Sequence, residues 1–154
     1  MMKIDFVKAK LSNIHDMREL ILPEIENGVI LDRSEDEIAT NIRSYMLAYK
    51  GKELVGFNAL HIHTSSLAEI RSLIVIESMR GHKIGEKLVK KALEEAEQLG
   101  IQRVLSLTYK QSFFERLGFV EIPKESLPEH KIWADCIKCK HFPVCNEVSL
   151  IKTI

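Results

Sequence analysis

The chain has 154 residues, 45% hydrophobic and 29% charged, a balance that fits one globular domain with a substantial core. Its 22 basic and 22 acidic side chains cancel, which argues against non-specific binding to nucleic acid or to an anionic membrane surface. No apolar run approaches bilayer length, and MMKIDFVKAKL lacks the apolar core of a secretory leader, so a cytoplasmic protein with no nucleic-acid or membrane partner is expected.

In chain order, residues 3–9 alternate and predict a first strand. Asn13 caps a helix over about 14–25 that buries Ile14, Met17, Leu20 and Ile21 and ends at Pro23 and Gly28. Ser34 with Glu37 is a capping-box pair, which predicts a second helix over about 35–43. Residues 44–50 and 53–63 read as a hairpin around Gly51-Lys52, and a third strand starts at Glu69 and alternates to Ile76. The spacing of Ile84, Leu88, Val89, Ala92, Leu93, Ala96 and Leu99 predicts a long amphipathic helix, stopped by Gly100. A buried strand over 103–108, a short helix over 111–117, strand 119–122 and a last strand over 147–154 complete the pattern. The long helix joins two strands as a parallel βαβ unit. The fold class is therefore mixed α/β (α+β): one domain over 1–154, a mixed, mostly antiparallel central sheet with helices on both faces. An irregular, cysteine-containing loop spans about 123–146.

The stretch 68–99 organises the rest. A strand runs into the basic turn Arg80-Gly81-His82-Lys83-Ile84-Gly85 and then into a helix N-terminus. Unpaired amides, the helix dipole and glycine's tolerance of a close phosphate together make a pyrophosphate site. The plainer alternative is a solvated strand-to-helix loop, and GxxxG spacing alone is weak. Its placement gives it weight.

The three cysteines are an odd number within ten residues, which argues against a disulfide framework. Cys136, Cys139, His141 and Cys145 have the composition of a Cys3His zinc site. The spacing is cramped and there is no second paired knuckle, so reduced, partly buried thiols shaping the loop are preferred and no metal is assigned. His15, His61, His63 and His130 read as ordinary polar residues, and Trp133 as a packing anchor.

The element order, the strand AEIRSLIV, the turn RGHKIG, the helix EKLVKKALEEA and the later FFERLGF resemble the GNAT superfamily of acetyl-CoA-dependent N-acetyltransferases over nearly the whole chain. A narrower resemblance is to the short, stand-alone bacterial N-acetylglutamate synthases. It rests on Leu31-Asp32-Arg33-Ser34, on Glu69-Ile70-Arg71-Ser72-Leu73 and on the Lys-x-Trp-x-Asp-Cys-x-x-Cys…Phe-Pro-x-Cys segment from Lys131 to Cys145.

This resemblance implies acetyl-CoA as co-substrate and direct acetyl transfer to the amine of L-glutamate, the first step of arginine biosynthesis. Glu69 would be the base, working through water; the alternative is a strand-end carboxylate paired with a surface lysine. Amides of Leu73, Ile74 and Val75 would hold the acetyl and pantetheine groups. Arg80 to Gly85 would hold the pyrophosphate. Arg71, Arg33 and Lys131 would bind the two carboxylates of the acceptor. Arg71 shares the strand face of Glu69, and an inward charge on an apolar strand requires a partner. Two departures stand out. Lys83 occupies a position where the family usually has glycine. Phe114, within the cofactor-binding set, stands where many members have the tyrosine acid, so Tyr109 is the substitute acid for the leaving thiolate. A homodimer is an expectation of the resemblance alone. Competing functions are acetylation of another amine, including a protein N-terminus, and a non-catalytic acyl-CoA sensor.

Overall fold

The computed structural model describes residues 3–26, 33–123 and 148–154. Seven strands form one sheet: β1 (Asp5–Lys8), β2 (Tyr45–Lys50), β3 (Glu53–Ile62), β4 (Leu67–Val75), β5 (Arg103–Thr108), β6 (Val120–Ile122) and β7 (Val148–Thr153). The sheet order is β1-β2-β3-β4-β5-β7-β6, antiparallel throughout except for β4 and β5. That parallel pair is joined by α3 (Ile84–Leu99), as the βαβ pattern requires. On one face, α1 (Ile14–Glu26) and α2 (Glu35–Thr40) cover a core of Met17, Ile21, Ile38, Leu47, Phe57 and Ile74. On the other, α3 and α4 (Gln111–Arg116) cover Ile70, Val89, Ala92, Val104, Phe114 and Leu150.

Local chemistry accounts for most boundaries. Ser34 Oγ accepts from the Glu37 N–H at 3.1 Å, the predicted capping box. Gly100 ends α3 in the left-handed region at φ 86°. Leu99, placed by its spacing on the buried face, is exposed there.

Three expectations are corrected. Pro23 does not end α1 but lies within it; the helix continues because Met17 and Ile21 are fully buried and outweigh one lost backbone bond. Asn13 closes a 3-10 turn instead of capping α1. Its Oδ1 accepts from the Lys10 N–H at 2.8 Å and its amide donates to the Tyr49 hydroxyl at 3.0 Å. α2 stops at Thr40, and residues 42–44 tighten into a 3-10 turn after Asn41 donates its side-chain amide to the Glu37 carbonyl at 2.8 Å.

The strand β4 does not alternate to its end. Phe57 pairs with Ile74 but Ala59 pairs with Arg71, so one residue of β3, Asn58, opposes two of β4. Ser72 takes up the extra residue at φ 54°, a β-bulge. The bulge flips the faces. Before it, Ile70 faces α3; after it, Leu73 and Val75 do, and Ile74 packs under α1 and α2. Pairing with β5 also ends here. The register covers Leu67–Glu69 against Arg103–Leu105, while β5 stays bonded to β7 as far as Thr108. The two strands part beyond Glu69 and open a gap in the middle of the sheet.

Gly56 holds β3 close to the far end of β4: a Cβ there would lie 2.7 Å from the Ile74 carbonyl oxygen. Gly56→Ala is expected to cost about 1–3 kcal/mol through overpacking, read as a lower thermal midpoint.

Candidate active site

The turn between β4 and α3 forms the floor of a 490 Å³ cavity. Leu73 and Val75 come from β4, Arg80, Gly81 and Lys83 from the turn, Ile84, Gly85 and Glu86 from the helix start, and Lys110, Phe113 and Arg116 from the α4 region. No side chain caps α3, so its first-turn amides are left to meet an anion. Lys83 supplies the bend expected of glycine by adopting φ 63°, ψ 20°. The backbone shape of a glycine turn is therefore kept, with a cation added at its tip. A Cβ on Gly85 would touch Phe113 and Val75 at 3.6 and 3.7 Å, so a side chain there would thicken the cavity wall.

Four cations stand round this cavity: Arg80, Lys83, Lys110 and Arg116. Arg80 is also a strap, donating from Nε to the Val75 carbonyl at 3.1 Å and from Nη2 to Glu24 of α1 at 3.2 Å. Burial, and then the neighbouring Arg80 charge, hold the Lys110 ammonium below the ordinary lysine range, with Glu24 opposing. The donor set and shape fit a pyrophosphate with an apolar arm running toward Leu73 and Val75.

The left-handed lysine is separable from its charge. A non-glycine residue in that conformation costs about 1–2 kcal/mol. Lys83→Gly is therefore expected to raise the thermal midpoint by a few degrees. The same change should weaken coenzyme binding, measured by calorimetry, because a cation leaves the cavity.

A second cluster lies on the opposite face of β4, before the bulge. Glu69 is 2% exposed. Its Oε1 lies 2.8 Å from His63 Nε2 and accepts from Arg71 Nε at 3.3 Å. Arg71 is thus the inward charge with the partner its position demands. The Tyr45 hydroxyl sits beside the same group: burial raises its pKa, while the charges of Arg33 and Arg71 and a hydrogen bond with Ser72 pull it down, and Glu37 pushes it up. The phenol therefore stays protonated at neutral pH and is a donor. Arg33 is largely covered, with Nη1 3.9 Å from Glu37 Oε2, and its carbonyl accepts from Arg18. Two arginines separated by 38 positions in the chain thus both pull down the pKa of one buried phenol.

Most predicted site residues fall into these two clusters. Leu73, Val75, Arg80, Gly81, Lys83, Ile84 and Gly85 line the cavity; Glu69, Arg71 and Arg33 form the second group. Four side chains lie elsewhere. Ile74 packs under α1, His82 is exposed, and Phe114 is buried in the core against Phe119, leaving its neighbour Phe113 at the cavity. Tyr109 is 41% exposed just past β5 and is not among the cavity's lining residues. Lys131, Cys136, Cys139, His141 and Cys145 lie outside the described residues, as do Leu31, Asp32, His130 and Trp133. Sequence reasoning missed His63, Tyr45, Lys110, Phe113 and Arg116. For His63 a signal existed: it lies two residues beyond His61, just past the end of β3, the strand that pairs with β4, and His61 stands opposite Glu69.

Comparison with known proteins agrees with this architecture. Residues 13–119 match the model of the acetyltransferase (GNAT) family. The chain is 41% identical to an uncharacterised N-acetyltransferase of Chlorobaculum tepidum over 82% of this chain and 81% of that one. It is 33% identical to an amino-acid acetyltransferase of Mycobacterium tuberculosis, over 75% of this chain and 67% of the relative. Among solved structures, N-acetylglutamate synthase from Neisseria gonorrhoeae, complexed with coenzyme A and N-acetyl-glutamate, superposes with a TM-score of 0.87 at 23% identity. That match takes in 99% of this chain but 35% of the larger protein. A helix N-terminus in a basic turn, a parallel pair that parts at a bulge and a family match across more than half of the sequence lead to one assignment: the chain belongs to the GNAT family of acetyltransferases.

Proposed function

We propose that this protein transfers the acetyl group of acetyl-CoA to the amine of L-glutamate, releasing N-acetyl-L-glutamate and coenzyme A. One observation carries the reading. A buried carboxylate paired with Arg71 sits on one face of β4, a cavity ringed by four cations sits on the other, and the strands part between them. A relative named as an amino-acid acetyltransferase, and a structural neighbour complexed with N-acetyl-glutamate, support it.

The pyrophosphate would rest on the α3 amides with Lys83 and Arg116 beside it, and the pantetheine arm would run along β4. There, backbone amides that no longer pair with β5 are available to hold its carbonyls. The acceptor's carboxylates would take the Arg33 and Arg71 forks and the Tyr45 hydroxyl. Glu69, acting through water, would draw a proton from the ammonium. The free amine then attacks the thioester carbonyl, the C–S bond breaks and the thiolate is protonated, with Tyr109 as the proposed acid. No acyl-enzyme is required.

Thiol release from acetyl-CoA across a panel of amino acids tests this. Strong turnover with glutamate supports it. Turnover only with other amines moves the acceptor. Coenzyme binding without any turnover makes the protein a sensor and overturns the enzymatic reading.

A further inference from the structure

Acetylation of an ammonium removes two protons from nitrogen. One reprotonates the leaving thiolate, so one must reach bulk water in every turnover. On the proposed reading Glu69 receives it, yet Glu69 is 2% exposed and cannot pass a proton straight to solvent. Arg71, its ion-pair partner at 3.3 Å, is a permanent cation and takes none. His63 is the neighbour that can. Its Nε2 lies 2.8 Å from Glu69 Oε1, and the two side chains are 1% and 3% exposed. Its ring meets that of His61 edge to face, centroids 4.8 Å apart, and His61 is only partly buried.

We infer that His63 is the proton outlet of Glu69, handing each proton along the His61 side of β3 to solvent and resetting the carboxylate for the next turnover. The inference rests on Glu69 being the base, and it names what that base must hand its proton to. The step balances. The Glu69 carboxylic proton moves onto unprotonated Nε2 and the proton on Nδ1 departs to solvent, which leaves the Nε2–H tautomer donating to the ionised carboxylate; exchange between the two neutral tautomers through solvent water frees Nε2 for the next turnover. Among the described residues, Arg71 on β4 and His61 on β3 face this pair; from β5, Leu105 stands beside Glu69 in register. His63 is a positioning and relay residue, since it acts through Glu69 and not on the acceptor.

Three variants test the outlet. His63→Gln keeps an amide hydrogen bond to the carboxylate but cannot relay. Its kcat is expected to fall by about 10- to 100-fold, with the KM for acetyl-CoA and the calorimetric affinity for coenzyme A unchanged. His63→Ala should lose at least as much, and added imidazole should restore kcat in proportion to its concentration. His61→Gln should lose severalfold. Wild-type kcat in His63→Gln would overturn the relay, because a hydrogen bond alone would then suffice. Loss in His63→Ala without imidazole rescue, or with coenzyme affinity lost in parallel, would make the residue merely structural. The ratios are measured on whichever acceptor the unaltered protein acetylates, so a wrong acceptor sinks glutamate and leaves the outlet measurable.

Discussion

Glu69→Gln is expected to lower kcat by about 10²- to 10⁴-fold while leaving the KM for acetyl-CoA nearly unchanged. The carboxylate is remote from the cavity lining, so coenzyme binding should not register its loss. Glutamine keeps the volume and can accept from Arg71, so the fold should survive. The lost property is basicity. At this position a carboxylate is held in place by two neighbours on one oxygen, His63 at 2.8 Å and Arg71 at 3.3 Å. Steady-state kinetics with both substrates varied checks the split. A kcat within a fewfold of the unaltered protein would remove Glu69 from the chemistry.

The second large effect falls on the acceptor. Arg33→Ala and Arg71→Ala should each raise the glutamate KM by about ten- to a hundredfold, the loss of charged hydrogen bonds worth about 1.5–3 kcal/mol. The KM for acetyl-CoA should stay within about twofold for Arg33→Ala. The two variants should also differ from each other. Arg71 donates to Glu69 as well, so its removal should lower kcat too, whereas Arg33 stands beside Glu37 of α2 at 3.9 Å and its removal should change mainly binding. Lysine at either position should restore charge but only part of the affinity, because one ammonium cannot reproduce a planar fork. Equal effects on the two substrates' KM values would sink the assignment of these arginines to the acceptor.

Both predictions concern residues that the sequence offered, but the sequence offered them for unequal reasons. Glu69 and Arg71 are two apart on a strand, so a shared face follows from the pleat alone. Arg33 is distant in sequence, and nothing in spacing brings it to Arg71. Its approach depends on α1 and α2 packing over the face of β2 that carries Tyr45, with Ile38 and Met17 fully buried beneath. Tyr45 was invisible as a site residue for the same reason. A strand tyrosine is usually core, and only the tertiary environment sets two cations beside its hydroxyl. The histidines show the limit most clearly. Read singly, His63 is one more polar residue, but just past the end of β3, whose His61 pairs with Glu69, it comes against the same carboxylate.

By itself, the sequence determined the order of elements, the parallel βαβ unit and the basic turn at the start of α3, because these depend on periodicity, caps and turn residues close together in the chain. It also determined that some residue must bend the backbone before α3. Only the structure decided that Lys83 does so at φ 63°. The tertiary structure alone decided where β4 changes face. Alternation from Glu69 to Ile76 hides a bulge, because Ser72 looks like any other strand residue. Its positive φ is fixed by pairing with β3, where Asn58 must oppose two residues. That one extra residue puts Glu69 and Arg71 on one side of the sheet and Leu73 and Val75 on the other. The strand read at first as a simple pleat is therefore the wall through which the two proposed substrates would meet.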